Sequence, residues 1–212
     1  MPTPEQTPAW FSDLLTRELE SWAALSSEQI SKLFRHYSLL VEWNKKVSLT
    51  SVKPGPDMVI RHYCESLFFG LHLPAASLRP KILDIGSGAG FPGVPLAVLR
   101  TDWQLILIES VQRKAVFLRE ATRHLNNVIV LARRAEEVTQ AGDWIVSRAV
   151  DPGEVLRNFP RMAPRIGLML GENDFSELRT LPRIAWLAPV RLPWGDRRLC
   201  VYGEYVSRGT PD

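Results

Sequence analysis

The sequence predicts an α/β fold: a mostly parallel sheet covered by helices on both faces and entered through an N-terminal helical extension. Three observations carry this. From Lys81 onward the short apolar runs KILDIG, LILIES, NVIVLA, WIVSRA and IGLMLG recur, each followed by a loop or an amphipathic stretch. Strands apolar at successive positions are buried on both sides, which is the pattern of a parallel sheet between helix layers. The C-terminal runs RIAWLAPVRL and RRLCVYGEYV flank Pro193-Trp194-Gly195 and read as an antiparallel hairpin. Before Lys81 the apolar spacing is helical.

Within the extension, Trp10, Phe11, Leu14, Leu15, Leu19 and Trp22 follow a 3.6-residue period. Ser26 with Gln29 has the spacing of a capping box. Ile30, Leu33, Phe34, Tyr37, Leu40 and Val41 then form one helical face. Pro54-Gly55-Pro56 is a break, and residues 57–72 return to helical spacing. Residues 1–75 are thus expected as a helical extension and residues 76–212 as the sheet domain, together one compact unit.

The chain has 212 residues, 45% of them hydrophobic and 23% charged, which suits an ordinary globular domain with an appendage. Cys64 and Cys200 permit one disulfide but exclude a disulfide scaffold or a four-cysteine zinc site. No metal site is expected. There is no apolar run long enough to span a membrane, and the start MPTPEQTPAW lacks an apolar signal region. A cytoplasmic monomer is the expectation. The net charge of +3 is weak footing for a nucleic-acid partner, but it averages over a division. Residues 1–30 hold five acidic residues and one basic; residues 31–64 hold six basic and two acidic.

The chemistry is concentrated in Leu83-Asp84-Ile85-Gly86-Ser87-Gly88-Ala89-Gly90-Phe91-Pro92-Gly93, which follows a strand and opens a helix. Glycines there let the backbone turn tightly and approach a ligand, and Pro92 suits the first helical turn. A tight strand-to-helix turn would use the same residues. Two ligands compete. A dinucleotide would place its pyrophosphate on the helix N-terminus, where Asp84 would repel it. S-adenosylmethionine carries an ammonium and a sulfonium, which a carboxylate attracts. Glu109 ends the second strand and can accept from both hydroxyls of a ribose. Arg134-Ala135-Glu136-Glu137 follows the third strand, either at an adenine edge or as a solvated charge run. Arg148 ends the fourth, as a ligand contact or a surface residue.

Absences narrow the target atom. No [DNS]-P-P-[YFW] stretch for exocyclic amines follows the fourth strand, which continues Ser147-Arg148-Ala149-Val150-Asp151-Pro152. No cysteine sits in a strand-end loop as the nucleophile that pyrimidine-carbon methylation needs. The fifth strand ends Leu170-Gly171-Glu172 without the lysine of a ribose 2′-O Lys-Asp-Lys-Glu set. Guanine N7, whose lone pair is free, needs only positioning.

At these residues the chain resembles the RsmG (GidB) family of bacterial 16S ribosomal RNA guanine-N7 methyltransferases. The matching strings are Tyr37-x-x-Leu40-x-x-Trp43-Asn44, Val47-Ser48-Leu49-Thr50, Arg61-His62-Tyr63-Cys64-Glu65-Ser66-Leu67 and the glycine loop. Arg113-Lys114-x-x-Phe117-Leu118, Arg134-Ala135-Glu136-Glu137 and Ser147-Arg148-Ala149 follow in order. The resemblance implies a class I, Rossmann-like S-adenosylmethionine-dependent methyltransferase with a central, mostly parallel seven-stranded sheet. It implies methyl transfer to N7 of a guanine in the decoding-region loop of 16S rRNA, with the small ribosomal subunit as partner. It places the cofactor on Gly86, Phe91, Glu109, Ser110, Val111, Ala135, Glu136 and Arg148, the last also the positioning candidate; the glycine-loop pattern itself adds Asp84, Gly88 and Gly90, and no catalytic residue is assigned. The chain departs from the family pattern with Ser48 for Asn, Glu65 for Asp and Leu170 for Lys.

Candidate RNA contacts are Lys45, Lys46, Lys53, Arg61, Arg113, Lys114, Arg119 and Arg123, since phosphate contacts set affinity. His62 reads as a packed or hydrogen-bonded residue ahead of a catalytic base. Two other readings use the same fold: a small-molecule or protein methyltransferase, which needs a closed apolar pocket, and a non-catalytic nucleotide-sensing or assembly factor.

Overall fold

The computed structural model describes residues 7–75, 77–148, 150–195 and 197–206. Ala149, the end of one quoted string, and most of the segment MPTPEQTPAW lie outside them.

The extension begins with α1 (Ala9–Leu19) and α2 (Ser27–Trp43). The Ser26 capping box is formed: Ser26 Oγ accepts from Gln29 N–H at 3.2 Å, and Gln29 Oε1 accepts from Ser26 N–H at 2.9 Å. After Gly55, in the left-handed region at φ +131°, the chain runs through α3 (Pro56–Met58), a π-helical turn (Val59–Cys64) and α4 (Glu65–His72). The 3.6 period anticipates the helix but not the wider turn within it.

Strands β1 (Lys81–Ile85), β2 (Gln104–Ile108), β3 (Val128–Leu131), β4 (Trp144–Arg148) and β5 (Arg165–Gly171) are mutually parallel. They alternate with α5 (Gly93–Leu99), α6 (Gln112–Thr122), a 3₁₀ turn (Ala135–Glu137) and α7 (Pro152–Asn158). After α8 (Glu172–Leu178) come β6 (Ile184–Trp186), β7 (Val190–Arg191) and β8 (Arg198–Tyr205). The sheet order is β3-β2-β1-β4-β5-β8-β6, with β8 antiparallel to β5, β6 and β7. β7 extends the edge begun by β6. Among the described residues eight segments thus fill seven positions, the edge strand breaking near Pro189, which has no N–H for the ladder.

Side-chain alternation along the strands separates two cores. Ile82, Leu105, Leu107, Trp144, Val146 and Tyr202 face one core with α5 and α6, and Phe11, Leu15, Leu33, Leu40, Met58 and Phe69 of the extension fill that same core. Leu83, Ile85, Ile106, Ile145, Ile166 and Val201 face the other with Val155 and Phe175. The extension therefore covers a face of the sheet. Polar ties reinforce it: Gln29 Nε2 donates to Val98 and Leu99 carbonyls at the end of α5, and Trp194 Nε1 donates to Glu18 at 2.8 Å. Among the described residues, no helix is long and apolar enough to cross a membrane.

Gln29 satisfies orphan groups of two helices at once. We expect Gln29→Ala to lower unfolding free energy by about 1–2 kcal/mol, read as a lower urea midpoint with an unchanged slope.

Candidate active site

The glycine loop leaves β1 at its carboxyl end, where open α/β sheets place their ligands. Gly86 N–H and Ser87 N–H both donate to Ile108 O, pinning the loop to the end of β2. Gly86 has φ +70°, and a Cβ there would meet Val150 Cγ2 at 2.3 Å. Gly88 has φ +56° and open space above it, the nearest atom to a built Cβ being 3.7 Å away. The first glycine thus admits a neighbouring loop; the second leaves its backbone bare toward the cavity.

That cavity has a volume of about 330 Å³, near the lower end of the roughly 300–1,000 Å³ seen for small-molecule sites. Its floor is Gly86, Ser87, Gly88, Ala89 and Phe91, with Glu109 at one end and Arg148 and Val150 at the other. Leu49, Thr50, His62 and Lys114 complete the wall. Glu109 is buried, and its two oxygens accept from Gly88 N–H at 2.9 Å and Val111 N–H at 2.7 Å.

The extension reaches this wall through Asn44. Its Oδ1 accepts from Leu49 and Thr50 N–H, and its Nδ2 donates to Thr50 O, folding that segment back onto the cavity. Thr50 Oγ1 lies 2.8 Å from His62 Nε2, and the His62 ring stacks on Phe91 at 4.6 Å. Burial and the charge of Arg148 push His62 down to about 3, so the ring is neutral at ordinary pH. Behind Phe91, fully buried His36, also pushed down to about 3 by burial, pairs its Nδ1 with Tyr63 Oη at 2.7 Å.

Arg148 extends from the end of β4, and Nη2 meets Glu65 Oε2 at 3.1 Å. Glu65 is fully buried and also pairs with Arg198. Burial lowers Arg148 to about 10, which leaves it charged near neutrality. A second cavity of about 270 Å³ adjoins the first, with Arg148 and Val150 in both walls. Cys64 and Cys200 are free and buried; burial raises both thiols, Cys200 to about 12. Among the described residues, no group of three or more His, Cys, Asp or Glu side chains could hold a metal.

Comparison with known proteins places this site in a family. The family described as GidB, rRNA small subunit methyltransferase G, matches residues 29–185. The chain belongs to that family. The ribosomal RNA small subunit methyltransferase G of Xanthomonas campestris pv. campestris is 36% identical over 191 residues, 84% of this chain and 88% of the relative. That of Geotalea uraniireducens is 32% identical over 213 residues, 92% and 96%. The crystal structure of a SAM-dependent methyltransferase from Aquifex aeolicus shares the fold, with TM-score 0.55 and 18% identity over 72% of this chain and 94% of that one. The class I methyltransferase fold and its dependence on S-adenosylmethionine follow for this chain.

Of the eleven residues expected at the cofactor, Gly86, Gly88, Phe91, Glu109 and Arg148 line the first cavity. The other six expected contacts lie outside its wall. Asp84 is fully buried beneath the loop: its Oδ2 accepts from Gly93 N–H at 3.0 Å, joining β1 to α5. A Cβ on Gly90 would meet Val94 at 2.7 Å, so this glycine serves packing. Ser110 and Val111 are exposed after Glu109. Ala135 is buried in the second core, its carbonyl held by Arg161 at 3.0 Å, and Glu136 is exposed. Leu49, Thr50, Ser87, Ala89 and Val150 were not singled out as ligand contacts. The strings that carry the family resemblance contain all of these except Val150.

Of the basic candidates, Lys114 lines the first cavity, and Lys45, Lys46 and Lys53 are exposed around the Leu49-Thr50 wall. Arg61 shares a third cavity with Arg198. Arg113 and Arg119 are exposed on α6, while Arg123 pairs with Glu120 at 3.5 Å.

Burial raises Asp84 from 3.8 to about 7. The folded protein then holds this proton more tightly than the unfolded chain, so the stability it confers is full below about pH 4 and is lost as pH rises through 7. Asp84→Asn cannot ionise. Its stability relative to the parent should climb between pH 4 and 7, by about 4 kcal/mol at about 1.4 kcal/mol per pH unit. Urea unfolding at several pH values measures this; a constant difference would contradict it.

Proposed function

We propose that this chain methylates N7 of a guanine in the decoding-region loop of 16S rRNA. The observation that carries the reading is the meeting of two cavities at Arg148, in a member of a small-subunit rRNA methyltransferase family. Bound in the first cavity, S-adenosylmethionine supplies a sulfonium methyl group. The residues present fit it. Gly86 and Gly88 let the ligand approach the backbone. Glu109 retains lone pairs for ribose hydroxyls beyond its two backbone contacts. Phe91, held by His62, supplies an apolar wall. Ser110 and Val111 after β2, and Ala135 and Glu136 after β3, are the further proposed contacts to the cofactor.

N7 carries no proton, so no side chain has to remove one. The work left to the protein is orientation. That agrees with a neutral His62 tied to Thr50 and with cysteine thiols held protonated by burial. Lys45, Lys46, Lys53, Arg61, Arg113, Lys114 and Arg119 are the proposed phosphate contacts. Residues 1–75 act with the rest of the chain as one unit, which works as a monomer in the cytoplasm.

Methyl incorporation from labelled S-adenosylmethionine into 30S subunits and naked 16S rRNA lacking the modification tests this directly. Transfer mapped to one guanine N7, weakening as salt rises, is expected; no transfer, or transfer to another atom, overturns it. Glu109→Ala should raise the cofactor Kd about tenfold or more, about 1.4 kcal/mol, measured by calorimetry with the folded protein.

A further inference from the structure

The second cavity holds a combination that the first reading leaves unused. Arg148, Arg198, Glu65 and Asp174 line it, with Met169 and Leu192 as apolar walls. Its two guanidinium groups and two carboxylates balance in charge. A site for phosphate would carry an excess of positive charge; this one matches a neutral ligand that both donates and accepts. Glu65 ties down both arginines, and Arg148 Nη2 is thereby committed. Arg148 Nη1 is buried without a hydrogen-bond partner among the described residues, at the seam between the cavities. An unpartnered buried donor is costly, and its place at the seam marks where a ligand acceptor would come to rest. Asp174, in the same wall, stands in the first turn of α8. Its Oδ2 has one long contact, to Gly171 N–H at 3.4 Å, and no cation pairs with it among the described residues.

We propose that this cavity seats the target guanine, with Arg148 Nη1 donating to O6 and the Asp174 carboxylate accepting from N1–H and the 2-amino group. The inference rests on the proposed function and names the residues that select its substrate base. Donation to O6 turns the adjacent N7 toward the first cavity. Adenine carries an amine where guanine has O6, and it would set donor against donor at Arg148. Asp174 also opposes the positive charge that the base gains when N7 is alkylated. Glu65 is a positioning residue, acting through Arg148.

The test compares the full chain with Asp174→Ala, an exposed substitution whose folding is checked by thermal unfolding and unchanged S-adenosylmethionine affinity. The substrates are 16S rRNAs carrying guanosine, inosine or 7-deazaguanosine at the target. Inosine lacks the 2-amino group; 7-deazaguanosine keeps O6, N1–H and the amine but cannot accept methyl at position 7. The parent should methylate guanosine at least about tenfold better than inosine, a preference typical of a site that pairs a substrate donor. It should also bind the 7-deazaguanosine RNA more tightly than the inosine RNA. Asp174→Ala should lose about tenfold on guanosine, a smaller factor on inosine, which keeps N1–H but lacks the amine, and the binding preference with it. A preference that survives Asp174→Ala, or an equal loss on both bases, overturns the seat. Failure of the parent to methylate guanosine while that Asp174-dependent binding preference persists overturns the reaction and leaves the seat standing.

Discussion

The Gly93 N–H and the Asp84 carboxylate, 3.0 Å apart in a fully buried position, join the end of β1 to the start of α5. Between these two points runs the glycine loop, and its path is determined by how they are held. There is no room for another arrangement: a Cβ on Gly93 would meet Asp84 Oδ2 at 2.5 Å and Leu107 at 2.3 Å. The same loop is bound sideways to β2 through Ile108 O. With three edges fixed, the backbone of Gly86 and Gly88 faces the cavity without a side chain to fill it. Asp84 thus acts on the ligand site from beneath, by shaping the loop.

A second buried carboxylate organises the other half of the site. Glu65 is drawn from the helical extension and engages Arg148 from β4 and Arg198 from β8. Such a carboxylate would be unfavourable without its cations, so the three elements come together as a set. This gives the extension a chemical role beside its packing role. Asn44 folds Leu49 and Thr50 over the cavity, π-turn residue His62 braces Phe91, and Glu65 orients Arg148. The extension supplies one side of both cavities.

The strands were legible because each is apolar on both faces, and the capping box because its two residues lie three positions apart. The hairpin was legible too, but the break of its outer strand depends on where Pro189 falls in the ladder. The glycine loop and Glu109 were legible through spacing along two adjacent strands. The role of Asp84 was not: a carboxylate before a glycine loop reads the same whether it faces a ligand or the loop's underside. Ser110, Val111, Ala135 and Glu136 follow the right strands, yet side-chain direction at a strand end is decided by the turn after it. Arg161, far along the chain, sets one such turn by holding the Ala135 and Val138 carbonyls. Asp174 was invisible for a similar reason, since only tertiary folding brings α8 beside Arg148.

The central claim is that two adjoining cavities share Arg148, one for the methyl donor and one for the base. A structure of the full chain with S-adenosylhomocysteine and a target-site RNA reads this directly. The account predicts the ribose at Glu109 over Gly86 and Gly88, and a guanine flipped between Arg148 and Asp174 with N7 toward the first cavity. Cofactor density away from the glycine loop, or a base seated outside the second cavity, would contradict it.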